Sequence, residues 1–380
     1  MNKYKEIIYK TFNLNVMKKN IKKNPLIKIS KNNVNMELKK NIFILDYIFL
    51  VKIISDFLVI LKHTNSNYNN FNKYWISTNI MASFCMCAVP LFSLCIGATL
   101  LNFNERYNII EYWKRRIKKV ILPIIGWNII YYFYRVYILN NFKKVQLNFI
   151  SLYKVYFYNE LYPIIGSLRI FLFGYMVIPL ISYTDKKNKI KIYSYCFITL
   201  LINQSLIPYL LKFNNNYNLF WPYNYNLGYI IYIYAGYIIQ NFRFNRIIKL
   251  LIYISGIIGL LLRLFVAQYL TLKYKKVDKT QINYVNLPIV FYSCSVFLFI
   301  KENCVYLFKV ININYINKIG SLSMGPFFLH YMIIWGLPKI FNYSQFSFNY
   351  RFFGAFEITI ICFIITAIMK KIPLIKHLIP

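Results

Sequence analysis

Long apolar runs separated by short polar stretches recur along the chain from residue 43 to the C-terminus. A helix needs about 20 mainly apolar residues to cross the hydrocarbon core of a bilayer, so the pattern predicts about ten membrane-spanning helices. The expected ranges are 43–62, 79–101, 120–140, 161–183, 191–211, 225–242, 247–270, 284–304, 319–341 and 352–370. The range 191–211 is interrupted by Asn203, Gln204 and Pro208.

Composition supports the same fold class. Hydrophobic residues make up 58% of the chain, and the mean hydropathy is +0.43. We therefore predict an all-α fold, a polytopic transmembrane helical bundle. Residues 1–41 are expected to form a basic cytoplasmic arm, residues 42–372 the transmembrane domain, and residues 373–380 a cytoplasmic tail. No loop is long enough for a separate soluble domain, so the bundle itself must carry any chemistry.

The distribution of basic residues predicts the orientation. Residues 1–41 carry eleven Lys, residues 102–119 carry six Lys or Arg, and residues 184–191 carry four, whereas residues 63–77 carry only Lys73. Basic residues concentrate on the cytoplasmic side of membrane proteins. With an even number of spans, both termini are then expected in the cytoplasm of a multi-pass protein of the inner or plasma membrane.

The net charge of +35 raises the question of a nucleic-acid partner. The basic residues are spread through loops between apolar runs, where anionic lipid headgroups are the expected partners. We therefore expect contact with membrane lipids and no nucleic acid.

The first predicted span carries the most conspicuous polar pattern. Lys52, Asp56 and His63 lie within about 40° of one another around a helix, and Lys52 is roughly 16 Å from His63 along the axis. Ionisable groups within a membrane span usually face the protein interior or a wet cavity and mark a pathway or an active site. The alternative for Lys52 is an ion pair with Asp56 that only neutralises both charges.

Other polar residues in the predicted spans are candidates of the same kind. Arg169 is the deepest arginine and is expected to face the cavity, whereas Arg135 and Arg263 are expected to snorkel to the interface. His330 follows the small residues Gly320 and Gly325, which permit close helix packing. Its alternatives are a buried core histidine and a substrate contact.

Metal and disulfide chemistry are not indicated. The seven Cys lie in or at the ends of predicted spans, with no C-x-x-C spacing, which is typical of small buried hydrophobic residues. The three His, at 63, 330 and 377, are too scattered for a zinc site.

Five blocks along the chain are similar to segments of one membrane-protein family. In the first, Lys52 stands where the family has Arg, and His63 matches the family's His. The others are AVPLFSLCIG at 88–97, WKRRIKKVILP at 113–123, YAGY at 234–237 and IGSLSMGPFFLH at 319–330. On these blocks the chain resembles the membrane acyltransferase 3 family, multi-span O-acyltransferases that act on cell-envelope sugars.

The resemblance implies transfer of an acyl group, commonly acetyl, from acetyl-CoA as co-substrate to a hydroxyl of an envelope polysaccharide or lipid-linked sugar, without a permanently bound cofactor. His63 would be the general base, because a His that titrates near neutral pH suits removal of a hydroxyl proton. Lys52 would lie on the route by which the thioester reaches His63. Arg116, which matches the family's recurring Arg, and Arg115 would hold the coenzyme A phosphates.

Arg169 and His330 complete the expected substrate contacts. Two departures keep other functions open: Lys replaces Arg at position 52, and the family's His-containing block is missing near 164–169. The alternatives are a polysaccharide or glycolipid transporter or flippase, a catalytically decayed family member, and a non-catalytic membrane subunit.

Overall fold

The computed structural model describes residues 31–65, 71, 73–139, 165–211, 228–278, 280–341, 347–373 and 375–379. For 31–45 and 165–170, and at 280, 339 and 341, it describes only the backbone. Within these ranges the secondary structure is helical, without a strand, which confirms the predicted all-α class.

The chain divides into two compact units, Met1–Asp46 and Tyr47–Pro380. Of the first unit, the structure describes only helical backbone, together with the side chain of Asp46. That helix begins at Lys31, within the residues that the sequence assigns to the basic arm. The location of the arm in the cytoplasm stays a prediction.

Fourteen helices run through the described residues. In chain order they are α1 (Lys31–Thr64), α2 (Trp75–Cys85), α3 (Ala88–Leu100), α4 (Ile109–Arg116), α5 (Leu122–Phe133), α6 (Ile165–Ser182), α7 (Lys189–Leu200), α8 (Ile207–Leu211), α9 (Ile230–Asn241), α10 (Arg246–Tyr274), α11 (Leu287–Val310), α12 (Ile313–Gly320), α13 (Met324–Phe341) and α14 (Phe348–Met369). Short π-helical turns occupy Ile117–Ile121, Tyr134–Ile138 and Leu201–Leu206, and 3-10 turns occupy Phe103–Glu105, Thr280–Ile282 and Ile375–Leu378.

Six helical stretches of the described residues are long and apolar enough to cross a membrane. They are Trp75–Glu105, Ile109–Ile138, Lys189–Leu211, Arg246–Tyr274, Leu287–Val310 and Phe348–Met369. The other four predicted ranges also coincide with helices, namely α1, α6, α9 and α12 with α13. The count of ten crossings stays a prediction.

The basic segment before the third predicted span is helical, where the sequence suggested a loop. Helix α4 begins at Ile109 because the Asn108 side chain accepts a hydrogen bond from the Glu111 N–H (2.9 Å). The π-helical turn at Ile117–Ile121 then precedes Pro123, whose ring lacks an N–H and crowds the preceding turn of the helix. Lys and Arg side chains are therefore held on a helix surface.

Glycines allow close helix crossings in the second unit. A Cβ on Gly97 of α3 would overlap the Ile233 carbonyl of α9, and a Cβ on Gly236 of α9 would overlap the Leu94 carbonyl. The two backbones therefore touch at reciprocal positions, as is typical of small-residue contacts between membrane helices.

The end of α12 and the start of α13 pack between α1 and α14. Gly320 leaves room only for Phe49 of α1, and Gly325 leaves room only for Thr366 of α14. This confirms the expected close packing at Gly320 and Gly325. It also brings the polar face of α1 next to His330 and Tyr331.

Candidate active site

His63 lies at the C-terminal end of α1 and is partly buried. Its Nδ1 is 2.7 Å from the Tyr331 hydroxyl oxygen, and the two rings are 4.6 Å apart between centroids. The His330 ring stacks on His63 with a centroid distance of 5.4 Å. The structure thus brings two of the three histidines together with a tyrosine.

The hydrogen bond to Tyr331 controls what His63 can do. When Nδ1 carries the proton and donates it to the Tyr331 oxygen, Nε2 presents a lone pair that accepts a proton from a substrate. Tyr331 then has the orienting role that a carboxylate has in many catalytic histidines. Two glutamates near the outer ends of their predicted spans could in principle supply such a carboxylate, but Glu357 is exposed on α14, and Glu160 lies outside the described residues.

His330 is fully buried. Its Nδ1 lies 2.9 Å from the Pro326 carbonyl, so Nδ1 carries a proton and donates it. In the neutral ring Nε2 is then an acceptor, and it has no hydrogen-bond partner among the described residues. A hydroxyl group that donates a hydrogen bond would satisfy Nε2. Both interpretations from the sequence, a buried core histidine and a substrate contact, are therefore compatible with this geometry.

Asp56 is buried on α1, the helix that carries His63. The Ser323 side chain lies near the carboxylate but does not reach hydrogen-bond geometry with either oxygen, and Lys52 interacts with the carboxylate electrostatically. The Lys52 ammonium instead lies 5.6 Å from the centroid of the Phe49 ring. The suggested Lys52–Asp56 salt bridge is therefore not among the ion pairs of the described residues.

Arg116 faces the protein interior from α4. Its guanidinium lies over the rings of Tyr112 and Tyr175, at 5.7 Å and 5.3 Å from their centroids. The Arg116 Nε is buried and makes no hydrogen bond to any described residue. Arg115 is paired with Glu111 at 2.8 Å. Arg116 is thus positioned by aromatic rings, and it forms none of the ion pairs found among the described residues.

These residues form part of a larger group of positive charges. Lys119 interacts electrostatically with four other basic residues, and we call the five together the basic cluster. Its members are Lys52, Arg115, Arg116, Lys119 and Lys370. Helix geometry separates Lys52 from His63 by about 16 Å along α1. The cluster and the histidine pair therefore lie towards opposite ends of the same helix face.

The three other arginines singled out from the sequence have different outcomes. The side chain of Arg169 lies outside the described residues, so its placement is untested. Arg263 does not snorkel: it is 1% exposed, and it donates to the side-chain oxygens of Asn79 (2.6 Å) and Ser83. The snorkelling prediction was wrong because Asn79 and Ser83 of α2 satisfy the guanidinium inside the bundle. Arg135 is half-buried against the Trp335 ring.

Sequence reasoning missed Arg351. It is 1% exposed near the start of α14 and donates to Thr78 Oγ1 (2.8 Å), Asn65 Oδ1 (3.3 Å) and Ser77 Oγ (3.0 Å). The Thr64 hydroxyl in turn donates to the Arg351 carbonyl at 2.9 Å. Arg351 therefore joins the end of α1, directly after His63, to α2 and α14. The available signal was an arginine at the edge of an apolar range, since Arg351 directly precedes the predicted span 352–370.

Tyr331 was also missed, and the sequence held no such signal. It is one of 37 tyrosines in the chain. Its role depends on a contact with His63, which is 268 positions away.

Metal-ligating side chains do not gather at this site. In the described part of the chain, no group of three or more His, Cys, Asp or Glu could hold a metal ion. All seven cysteines are free thiols.

Comparison with known proteins identifies the family. Residues 45–368 match the acyltransferase domain of the acyltransferase 3 family. No curated protein and no solved structure matches the chain. The matched range includes both His63 and His330, and every member of the basic cluster except Lys370. Members of this family are embedded in membranes, and the apolar helices described above agree with that. The chain therefore belongs to the acyltransferase 3 family and is a membrane acyltransferase.

Proposed function

We propose that this acyltransferase moves an acyl group, in the simplest case acetyl, from acyl-CoA to a hydroxyl of a cell-envelope polysaccharide or a lipid-linked sugar. The observation that carries the proposal is the hydrogen bond between His63 and Tyr331, at the end of a helix that also carries Lys52, a member of the basic cluster. A proton acceptor and an anion-binding region on one helix suit the two substrates.

The donor is an anionic molecule, and the basic cluster is complementary to it. Among the five members of the cluster, only Arg115 has an ion pair among the described residues. The uncompensated positive charge favours the phosphates of coenzyme A. Arg116, held between two tyrosine rings, is the preferred phosphate contact. Lys52 lies on the same face of α1 as His63 and would guide the thioester towards it.

His63 is the proposed base. Its Nε2 accepts the proton of the acceptor hydroxyl as the hydroxyl oxygen attacks the thioester carbonyl. The resulting tetrahedral intermediate collapses, the carbon–sulfur bond breaks, and the coenzyme A thiolate leaves. The imidazolium returns its proton to that thiolate, which leaves the ester, free coenzyme A and neutral His63. Tyr331 orients the ring, and Nε2 of His330 accepts a hydrogen bond from an acceptor hydroxyl.

The orientation predicted from charge puts the two substrates on opposite sides. Acyl-CoA would approach the basic cluster from the cytoplasm, and the glycan would approach His63 from outside. Arg169 stays a proposed substrate contact.

The test is acyl transfer from radiolabelled acetyl-CoA to envelope glycan, using membranes that contain matched amounts of each variant. We expect His63→Ala to lower the rate by roughly 100-fold or more, which is the usual range for loss of a general base. Tyr331→Phe should lower kcat by about tenfold, because the His63 imidazole loses the hydrogen bond that orients it. The KM for acetyl-CoA should change little, because the basic cluster is untouched. Arg116→Ala should raise that KM and spare kcat.

Tyr306→Phe is the matched control, since this tyrosine is exposed on α11. It should leave both constants unchanged. Equal labelling by wild type and His63→Ala would contradict the catalytic assignment. Absence of label with every variant would favour the transporter or the decayed enzyme.

A further inference from the structure

A groove outside the proposed active site lies where α4, the π-helical turn and the start of α5 meet the C-terminal 3-10 turn. Its volume is about 660 Å³, within the range of ligand sites in proteins. The lining residues are Ile110, Trp113, Lys114, Ile117, Lys118, Leu122 and His377. Three basic or titratable side chains thus share the groove with four apolar ones.

The C-terminal wall of the groove is held in place by specific contacts. Trp127 Nε1 donates to the Leu378 carbonyl at 3.1 Å. Gly126 leaves just enough room for the Leu378 side chain, which a Cβ there would overlap. His377, next to Leu378, is therefore presented to the groove by a turn anchored on α5.

The charges of α4 are divided between two faces. Tyr112 is buried and Arg116 stacks on it, so these two residues belong to the interior and to the basic cluster. Lys114 and Lys118 are exposed, lie four residues apart and face the groove. No acidic residue lines it. Lys118 thus belongs to a region that the proposed donor site does not use.

The apolar part of the groove continues along the span. Leu122, Ile125, Ile129 and Phe133 follow one another at spacings of three and four residues, and each is about half exposed. Residues at such spacings form one stripe on a helix. In the stretch Ile109–Ile138, which is long and apolar enough to cross a membrane, this stripe is the surface that acyl chains of lipids contact.

We propose that the groove is a binding site for one anionic phospholipid. The phosphate lies between Lys114 and Lys118, and one acyl chain runs along the stripe from Leu122 towards Phe133. Charge complementarity selects an anionic headgroup, because the lining contains cations without an acidic partner. Continuity with the apolar stripe selects a lipid over a soluble phosphate compound. Trp113 occupies the interfacial level that tryptophan favours in membrane proteins.

The test is native mass spectrometry of the full-length protein in detergent, titrated with phosphatidylglycerol or phosphatidylcholine. We expect wild type to retain one phosphatidylglycerol. Lys114→Gln/Lys118→Gln should weaken this binding by roughly tenfold or more, because both charges that attract the anionic headgroup are removed. Ile117→Trp, which keeps both charges and fills the groove, should weaken it as well.

The matched control is Lys186→Gln/Lys187→Gln, which removes the same charge from exposed positions that do not line the groove. It should leave binding unchanged. Equal losses in the two double variants would overturn the proposal, as would equal retention of phosphatidylcholine. Displacement of the lipid by excess coenzyme A would also overturn it, since the groove would then belong to the donor. None of these measurements requires transferase activity.

Discussion

Buried polar residues near His63 and along α1 are the most informative features at the scale of single residues. A buried arginine is costly in a membrane protein and persists where its hydrogen bonds are satisfied. The two terminal nitrogens of Arg351 meet this condition with Asn65, Thr78 and Ser77, all neutral partners, whereas its Nε has no hydrogen-bond partner among the described residues. Because Asn65 is two residues after His63, Arg351 fixes the end of the helix that presents the proposed base.

We therefore expect Arg351→Met to lower both stability and the rate of transfer. Loss of the guanidinium leaves buried oxygens of Asn65 and Thr78 without a donor, at a cost of about 1–3 kcal/mol. The melting temperature should fall, and kcat should fall with little change in the KM for acyl-CoA, since the basic cluster is untouched.

Arg351→Lys should recover part of the stability, because an ammonium reaches fewer of these acceptors. Arg243→Met serves as the control, since Arg243 is exposed. If Arg351→Met melts early but keeps full kcat at a temperature where it is folded, Arg351 has only a structural role.

At the scale of helices, the close crossing of α3 and α9 gives the clearest prediction about packing. Gly97 and Gly236 each face a backbone carbonyl of the other helix, so neither position has space for a methyl group. Gly174 of α6 differs, because a Cβ there would be 3.1 Å from the terminal methyl of Ile233, which is the movable end of a side chain. The three glycines therefore predict different responses to the same substitution.

Gly97→Ala should destabilise the protein by about 1–3 kcal/mol, because the backbones must separate. This loss outweighs the gain of up to about 1 kcal/mol that alanine brings to a helix. Gly174→Ala should be close to neutral. Melting temperatures in one detergent would measure both, and a Gly97→Ala variant as stable as Gly174→Ala would contradict the close crossing.

At the scale of the whole molecule, the distribution of charge bears on orientation. The chain has 46 Lys and Arg against 11 Asp and Glu, and residues 102–119 and 184–191 are richer in basic residues than residues 63–77. The positive-inside rule then assigns residues 102–119 and 184–191 to the cytoplasm and residues 63–77 to the outside.

A cysteine at Lys73 should react with a membrane-impermeant maleimide in intact cells, whereas a cysteine at Lys186 should react only after the membrane is opened. Both positions are exposed. The native cysteines are buried or half-buried, which keeps the background low. Labelling of Lys186→Cys in intact cells would reverse the proposed sides for the two substrates.

The helices and the family follow from local features of the sequence. In a bilayer every backbone polar group must be satisfied within its own helix, so apolar length and local capping are enough to predict where helices lie. Wherever the structure describes them, the ten predicted ranges accordingly overlap helices. The five similar blocks and their order along the chain pointed to the acyltransferase 3 family, because each block is a local feature of the sequence.

Which side chains are in contact depends on the tertiary structure. Tyr331 approaches His63, Arg351 approaches Asn65, and Arg263 turns inward to Asn79, across separations of 184 positions or more. Such contacts depend on how distant helices cross, and small residues such as Gly320 and Gly325 determine those crossings. A helical pattern assigns a residue to a face, but the neighbouring helix determines its partner.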